Sequence, residues 1–355
     1  MSESDTAPAP VIEPEKTRLL SEHAFPRPLT ACYWDPKDRF IFVGSEDYGI
    51  HRFDLSTQAV THFGAHDSWV RAIGMSPDGQ AVYSGGYDGR LVWWPSDTAA
   101  PEPIRVVEDA HKGWIRALAV SPDGRFVATC GNDHLVRLWD AESGAALLTF
   151  RGHESHVYNV AFSPDGKAIV SCDLKGFVKL WNREGGDAAV GDAAQSDQPD
   201  VATSTELPRA EALFKYDPSF LADIGGARCM AFSIDGTRLA LGGVTNVTNA
   251  FAGVGECAVV LLDMTEPKVA LQFEAAEKVN GSAWGVVQHP QGFWIGLTGG
   301  TGGGWLYFWR DDKPTEFFKL NLKNDGRGLS MSPDSSRIAV AHADRHLRIY
   351  ALFGE

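Results

Sequence analysis

Between His111 and Asp140 the apolar residues recur at every second position and are interrupted by turn residues, so the stretch reads as three short strands. Residues 114–120 predict the first strand, 125–129 the second and 135–139 the third. The connection at 121–124, Ser-Pro-Asp-Gly, is a turn, because proline presets φ at its second position and glycine relieves crowding at its last. A fourth run at 145–150 precedes His153, which completes one small antiparallel sheet.

Aligned on that turn, the chain carries seven copies of the unit, starting at Asp35, Ser76, Ser121, Ser163, Ser233, His289 and Ser332. Their spacings are 41, 45, 42, 70, 56 and 43 residues, and a period of about 40–45 with four strands per unit marks a propeller blade. The expected fold is all-β: a single propeller of seven four-stranded antiparallel blades over residues 16–355, behind a Pro-rich, acidic and mobile tail at 1–15. One long interval is explained by a small, acidic stretch at 184–207, read as a flexible loop, with 210–216 resuming as the outer strand of blade four. The other holds the fourteen-residue insertion GVTNVTNAFAGVGE, read as a loop between the second and third strands of blade five. The last copy stops after its third strand. Residues 17–20 are therefore expected to pair with 348–351 and cover the open sheet edge.

The recurring pattern GHxxxV, SPDG, D, W-D resembles the WD-repeat β-propeller family from about Lys16 onward, most specifically in the second, third and fourth copies. The resemblance implies a hydrogen-bond network in each blade, built from a His, a Ser or Thr, an Asp and a Trp. Blade two supplies His66, Ser84, Asp88 and Trp94, and blade three supplies His111, Thr129, Asp133 and Trp139. Blade four keeps His153, Ser171 and Trp181 but has Lys175 at the Asp position. Copies one, five and seven end in Phe53, Leu262 and Tyr350, while copy six keeps Trp309 and offers Gly303 for the Asp. Blades two and three are expected to be the most rigid, since only a fully satisfied buried network stabilises its sheet.

The same resemblance implies that the residue five before each turn position lies on the rim of a central channel. These are Thr30, Arg71, Arg116, Tyr158, Arg228, Trp284 and Arg327, a cationic and aromatic ring in a chain whose net charge is −14. Two residues earlier stand Pro28, Trp69, Trp114, His156, Gly226, Ser282 and Asp325, and the positions before the Asp turns add Glu46, Tyr87 and Asn132. Such a top face is suited to an acidic or phosphorylated peptide, because arginine binds carboxylate or phosphate bidentately and Trp and Tyr supply rigid apolar contact. The competing reading is structural, with these arginines neutralised by Asp67 or Asp325. The expected site residues are therefore Arg71, Arg116, Tyr158, Arg228, Trp284, Arg327, Trp69, Trp114, His156 and Tyr87, binding a protein partner as a monomeric propeller or as a subunit of a hetero-complex. A structural subunit clamped through its side or bottom, or a propeller enzyme, are the alternatives.

Composition narrows the field. The acidic balance disfavours nucleic acid and anionic membrane as partners. Five cysteines without a CxxC pair predict buried thiols in a reducing compartment, and residues 1–15 lack the basic start and apolar run of a signal peptide, which predicts a cytoplasmic protein. Asn246 and Asn280 match the glycosylation pattern, which without secretion is a chance match. His153-x-x-His156 and the His342–His346 pair, read as lying on an exposed turn, form no closed metal-ligand set. No GxSxG is present, and the glycines at 299–304 lack the GK[ST] of a phosphate loop. Neither cofactor nor metal is expected.

Overall fold

The computed structural model describes residues 11–182, 200–201, 204–249 and 254–354. Seven four-stranded antiparallel blades form a propeller. Blade three shows the unit, with strands Ile115–Val120, Phe126–Gly131, Val136–Asp140 and Ala146–Phe150. The innermost strand of each blade touches that of the next, from Leu29–Trp34 round to Gly326–Met331 and back, so the ring closes.

The seven turns share one device. The first residue supplies a side-chain acceptor: Ser121 Oγ accepts the Phe126 amide at 2.9 Å, and the serines of the other SPDG-like turns do the same. In blade one the Asp35 carboxylate accepts the Lys37 amide, and in blade six His289 Nδ1 accepts the Gln291 amide. This is why Asp and His can stand where the other copies have Ser. The fourth residue is left-handed in all seven, glycine in five and Asp38 or Ser335 in blades one and seven, with φ of 57° and 58°.

The blades hold one another by hydrophobic packing. Seven apolar clusters span the seven blade-to-blade interfaces among the described residues; between blades one and two, Phe42, Ile50 and Phe63 meet Val82 and Trp94. Each sheet is thus covered on both faces, so Phe40–Ser45 and Phe293–Gly299 are buried along their whole length. A buried aromatic such as Trp94 removes roughly 150–250 Å² from water, or about 4–6 kcal/mol at about 25 cal/mol per Å². Period-two alternation located these strands, but the expectation of a wet face that it usually carries does not hold in a propeller.

Closure is made by Arg18–Ala24, which pairs antiparallel with His346–Ala351 and completes blade seven. The strand is longer than its sequence suggested and excludes Thr17, which ends a 3₁₀ turn with its hydroxyl on the Pro14 carbonyl. Ion pairs reinforce the seam: Glu22 of the N-terminal strand accepts from Arg348 and Lys323. Of the expected tail, residues 1–10 lie outside the described residues, whereas the Glu13 amide donates to the Leu352 carbonyl.

Two elements differ from expectation. The outer strand of blade four is Thr205–Leu207, not 210–216, because its apolar Leu207 sits opposite Val178 in register. Most of the acidic 184–207 stretch lies outside the described residues, and Asp200–Val201 pairs parallel with the outer strand of blade three. The chain after Leu207 makes a 3₁₀ turn at Glu211–Leu213 and a hairpin of Phe214–Asp217 with Ala222–Gly225 before entering blade five. The blade-five insertion likewise lengthens its strands to Arg238–Asn249 and Val254–Asp263, with 250–253 outside the described residues. Lys215 of the first hairpin donates to the Val247 carbonyl of the second and ties the two projections together. Among the described residues no helix is long and apolar enough to cross a membrane.

Candidate functional site

The ring residues converge because of a backbone irregularity. In six of the seven innermost strands the ladder slips by one residue at the ring position: at Thr30, Arg71, Arg116, Tyr158, Trp284 and Arg327. A bulge leaves its extra residue out of the ladder and re-aims the side chain, here towards the channel. Blade five reaches a similar result by starting its ladder at Cys229, with the Arg228 amide on the Gly242 carbonyl.

All seven ring residues line one cavity of about 250 Å³ at the mouth of the channel, together with Trp69 and Tyr87. Trp284 is its centrepiece. The guanidinium carbons of Arg71, from blade two, and Arg228, from blade five, lie 4.5 and 4.6 Å from its ring centre. Arg116 lies 4.6 Å from Trp114 and 4.5 Å from Tyr158, and Tyr87 stacks on Trp114 with centroids 4.2 Å apart. Trp69 and Trp114 are each 41% exposed, so large apolar surface borders the cationic hub. His156 stands apart from the cavity, its Nδ1 bound to the Asn132 carbonyl.

The polar partners of the four arginines separate them into two kinds. Arg327 is neutralised by Glu46 at 2.7 Å, from the neighbouring blade. Arg71 donates to the Thr30 carbonyl at 2.7 Å and Arg116 to Asn132 Oδ1 at 2.8 Å, which are neutral acceptors. Arg228 Nε is buried without a hydrogen-bond partner. Among the described residues no carboxylate lies within ion-pair reach of Arg71, Arg116 or Arg228. The structural alternative thus holds for Arg327 alone, and through Glu46; Asp67 pairs with Arg90 instead. Burial, reinforced by Arg228, Arg327 and Arg116, lowers the Arg71 pKa to about 10, with Tyr87 acting against it, and burial lowers that of Arg228 as well. At about 10, Arg71 remains charged at neutral pH.

Beside the hub lies a second cavity of about 230 Å³ that the sequence did not reveal. It shares Arg228, Trp284 and Arg327 with the first and is walled by Ile224, Val244 and Val247 from the two projecting hairpins. Its builders are insertions, which carry no repeat signal.

The networks expected from the repeats are present in blades two, three and four. His111 bonds Asp133 through Nδ1 at 2.8 Å and Thr129 through Nε2 at 2.7 Å, and Trp139 Nε1 donates to the same hydroxyl at 2.8 Å. His66, Ser84, Asp88 and Trp94 reproduce it in blade two. In blade four Lys175 does not leave a gap: Asp173, two residues earlier, takes His153 Nδ1 at 3.0 Å while Ser171 joins His153 to Trp181. Asp173 ends the second strand facing the histidine, and Lys175 instead donates its amide to Asp173 and pairs with Asp223. Three blades, not two, are fully networked.

In blade one Asp47, without such a histidine, bonds His51 at 2.9 Å, with His62 alongside. These three bring one ligand atom each to within 4.8 Å of one another, a grouping missed because two of its members sit on paired strands. His342, expected on an exposed turn, is fully buried at a strand end. All five cysteines are free and buried.

A seven-bladed ring of four-stranded sheets, three of them pinned by His–Ser/Thr–Asp–Trp networks, defines a repeat propeller. The WD domain, G-beta repeat model matches residues 57–95, 101–140 and 144–182, which include the three inner strands of blades two, three and four, so these blades are WD repeats within a seven-bladed propeller. No curated protein matches the chain. Propellers with these repeats generally act as non-enzymatic scaffolds that bind protein partners.

Proposed function

We propose that the chain is a non-catalytic interaction scaffold whose hub captures an acidic or phosphorylated segment of a protein partner. The observation that carries this reading is the set of three arginines, Arg71, Arg116 and Arg228, turned onto one cavity without a carboxylate to neutralise them. An incoming carboxylate or phosphate supplies the missing acceptors and offsets the burial, and after it the mutual repulsion, that depress Arg71. The exposed Trp69 and the Tyr87–Trp114 stack add rigid contact area at the rim. The cavity lining offers neither carboxylate nor imidazole to serve as a general base, which supports binding over catalysis.

The test is affinity capture with the intact chain beside a variant carrying Arg71→Glu, Arg116→Glu and Arg228→Glu. Each charge-assisted contact contributes about 1.5–3 kcal/mol, so a partner held through this hub is lost at micromolar protein. A partner retained by a variant that is still folded places the binding surface elsewhere.

A further inference from the structure

We infer that the side cavity beside the hub is a second anchor site, which selects a tyrosine next to the acidic residue of the same partner segment. The inference rests on the hub reading and deepens it.

Size comes first. The two cavities, about 250 and 230 Å³, each fall below the roughly 300–1,000 Å³ of small-molecule sites, yet exceed the roughly 150 Å³ that accommodates one benzene ring. Each therefore fits one side chain. They share Trp284, Arg228 and Arg327 as a common wall, so neighbouring residues of one extended segment can occupy both.

Chemistry then distinguishes them. The hub is cationic with neutral partners and takes the acid. The side cavity has apolar walls of Ile224, Val244 and Val247, with Ser282 and Asp325 also lining it. Ser282 is only 8% exposed, yet its Oγ has no hydrogen-bond partner. The Asp325 side chain makes no hydrogen bond or ion pair among the described residues. An acidic occupant is repelled by Asp325, and a purely aliphatic one leaves both polar groups unmet, which costs about 1–3 kcal/mol for a buried group. A phenol satisfies the whole set: its ring lies against the valines and Trp284, its O–H donates to Asp325, and its oxygen accepts from Ser282.

Selection of a random heptapeptide library on the full-length protein is expected to enrich sequences with an acidic residue and a tyrosine at fixed spacing. Acid-rich sequences without a fixed tyrosine overturn the second anchor and leave the hub reading standing; enrichment with no acidic preference overturns both. For a synthetic capped peptide from that selection, replacing Tyr by Phe is expected to weaken binding about tenfold. In a Ser282→Ala/Asp325→Ala variant, whose altered side chains make no intramolecular hydrogen bond, that ratio is expected to fall below about twofold. Equal Tyr-to-Phe ratios in the two proteins overturn the assignment of the phenol to Ser282 and Asp325.

Discussion

Blades two to four and blades one and seven solve the same packing problem in opposite ways. At the position of the network hydroxyl, the first group has Ser84, Thr129 and Ser171, while blades one and seven have the fully buried Val43 and Val340. The histidine of the first group becomes Phe25 and Leu322, and the tryptophan becomes Phe53 and Tyr350. Phe25, Val43 and Phe53 share one apolar cluster, as do Leu322, Val340 and Tyr350. In blades one and seven the histidine, the hydroxyl and the tryptophan are thus all replaced, whereas blade six keeps Trp309, whose Nε1 donates to the Glu274 carbonyl instead. Removing one partner of a buried hydrogen bond strands the other at about 1–3 kcal/mol, whereas exchanging both for apolar groups is nearly neutral. The Asp that remains in these blades finds a local cation or imidazole, Asp47 with His51 and Asp344 with Arg348.

Halving one network separates a cooperative unit from a set of independent bonds. Thr129→Val strands His111 Nε2 and Trp139 Nε1, and is expected to cost about 2–4 kcal/mol in urea unfolding. Importing the blade-one set as His111→Phe, Thr129→Val and Trp139→Phe is expected to recover much of that loss. A triple variant no more stable than the single one contradicts replacement as a unit.

Blade seven also holds a buried polar atom that no partner satisfies, and pH exposes it. His342 donates from Nδ1 to the Asn324 carbonyl, while Nε2 is buried and unpartnered. Burial, with Arg348 close by, lowers its pKa to about 4. The unfolded chain binds a proton near pH 6.5 and the folded one does not, so stability falls as pH drops from about 6.5 towards 4 and is unaffected above. The contribution is about 1.4 kcal/mol per pH unit across that window. His342→Asn is expected to flatten the dependence of unfolding free energy on pH by close to one proton; an unchanged slope excludes His342 as its source.

The smallest effect concerns the turns. Ser335 occupies the left-handed conformation that five other blades give to glycine. Ser335→Gly is expected to raise stability by about 0.5–1 kcal/mol, read as a small increase in thermal midpoint. The same change at Asp38 is expected to fail, because Asp38 also binds Trp34 Nε1 and Arg337.

Much of this molecule was legible before any coordinate. Asp35 and His289 aligned with serines because all three supply the acceptor that closes the turn, and the ring residues fell at a constant offset from it. Asp173 was missed because a fixed offset cannot register a carboxylate that reaches the same histidine from two residues away. Glu46 as the partner of Arg327 was missed because 281 residues separate them and only ring closure brings them together. The side cavity was missed because insertions have no counterpart in the other copies.

The sequence alone determined the number of blades, the turns between strands and the residues at the hub, since each follows from local periodicity repeated along the chain. Which arginines remain without a counter-charge, and where a second cavity opens, emerges once the ring has closed. Those depend on which side chains meet across blades distant in sequence, and a local pattern carries no information about that encounter.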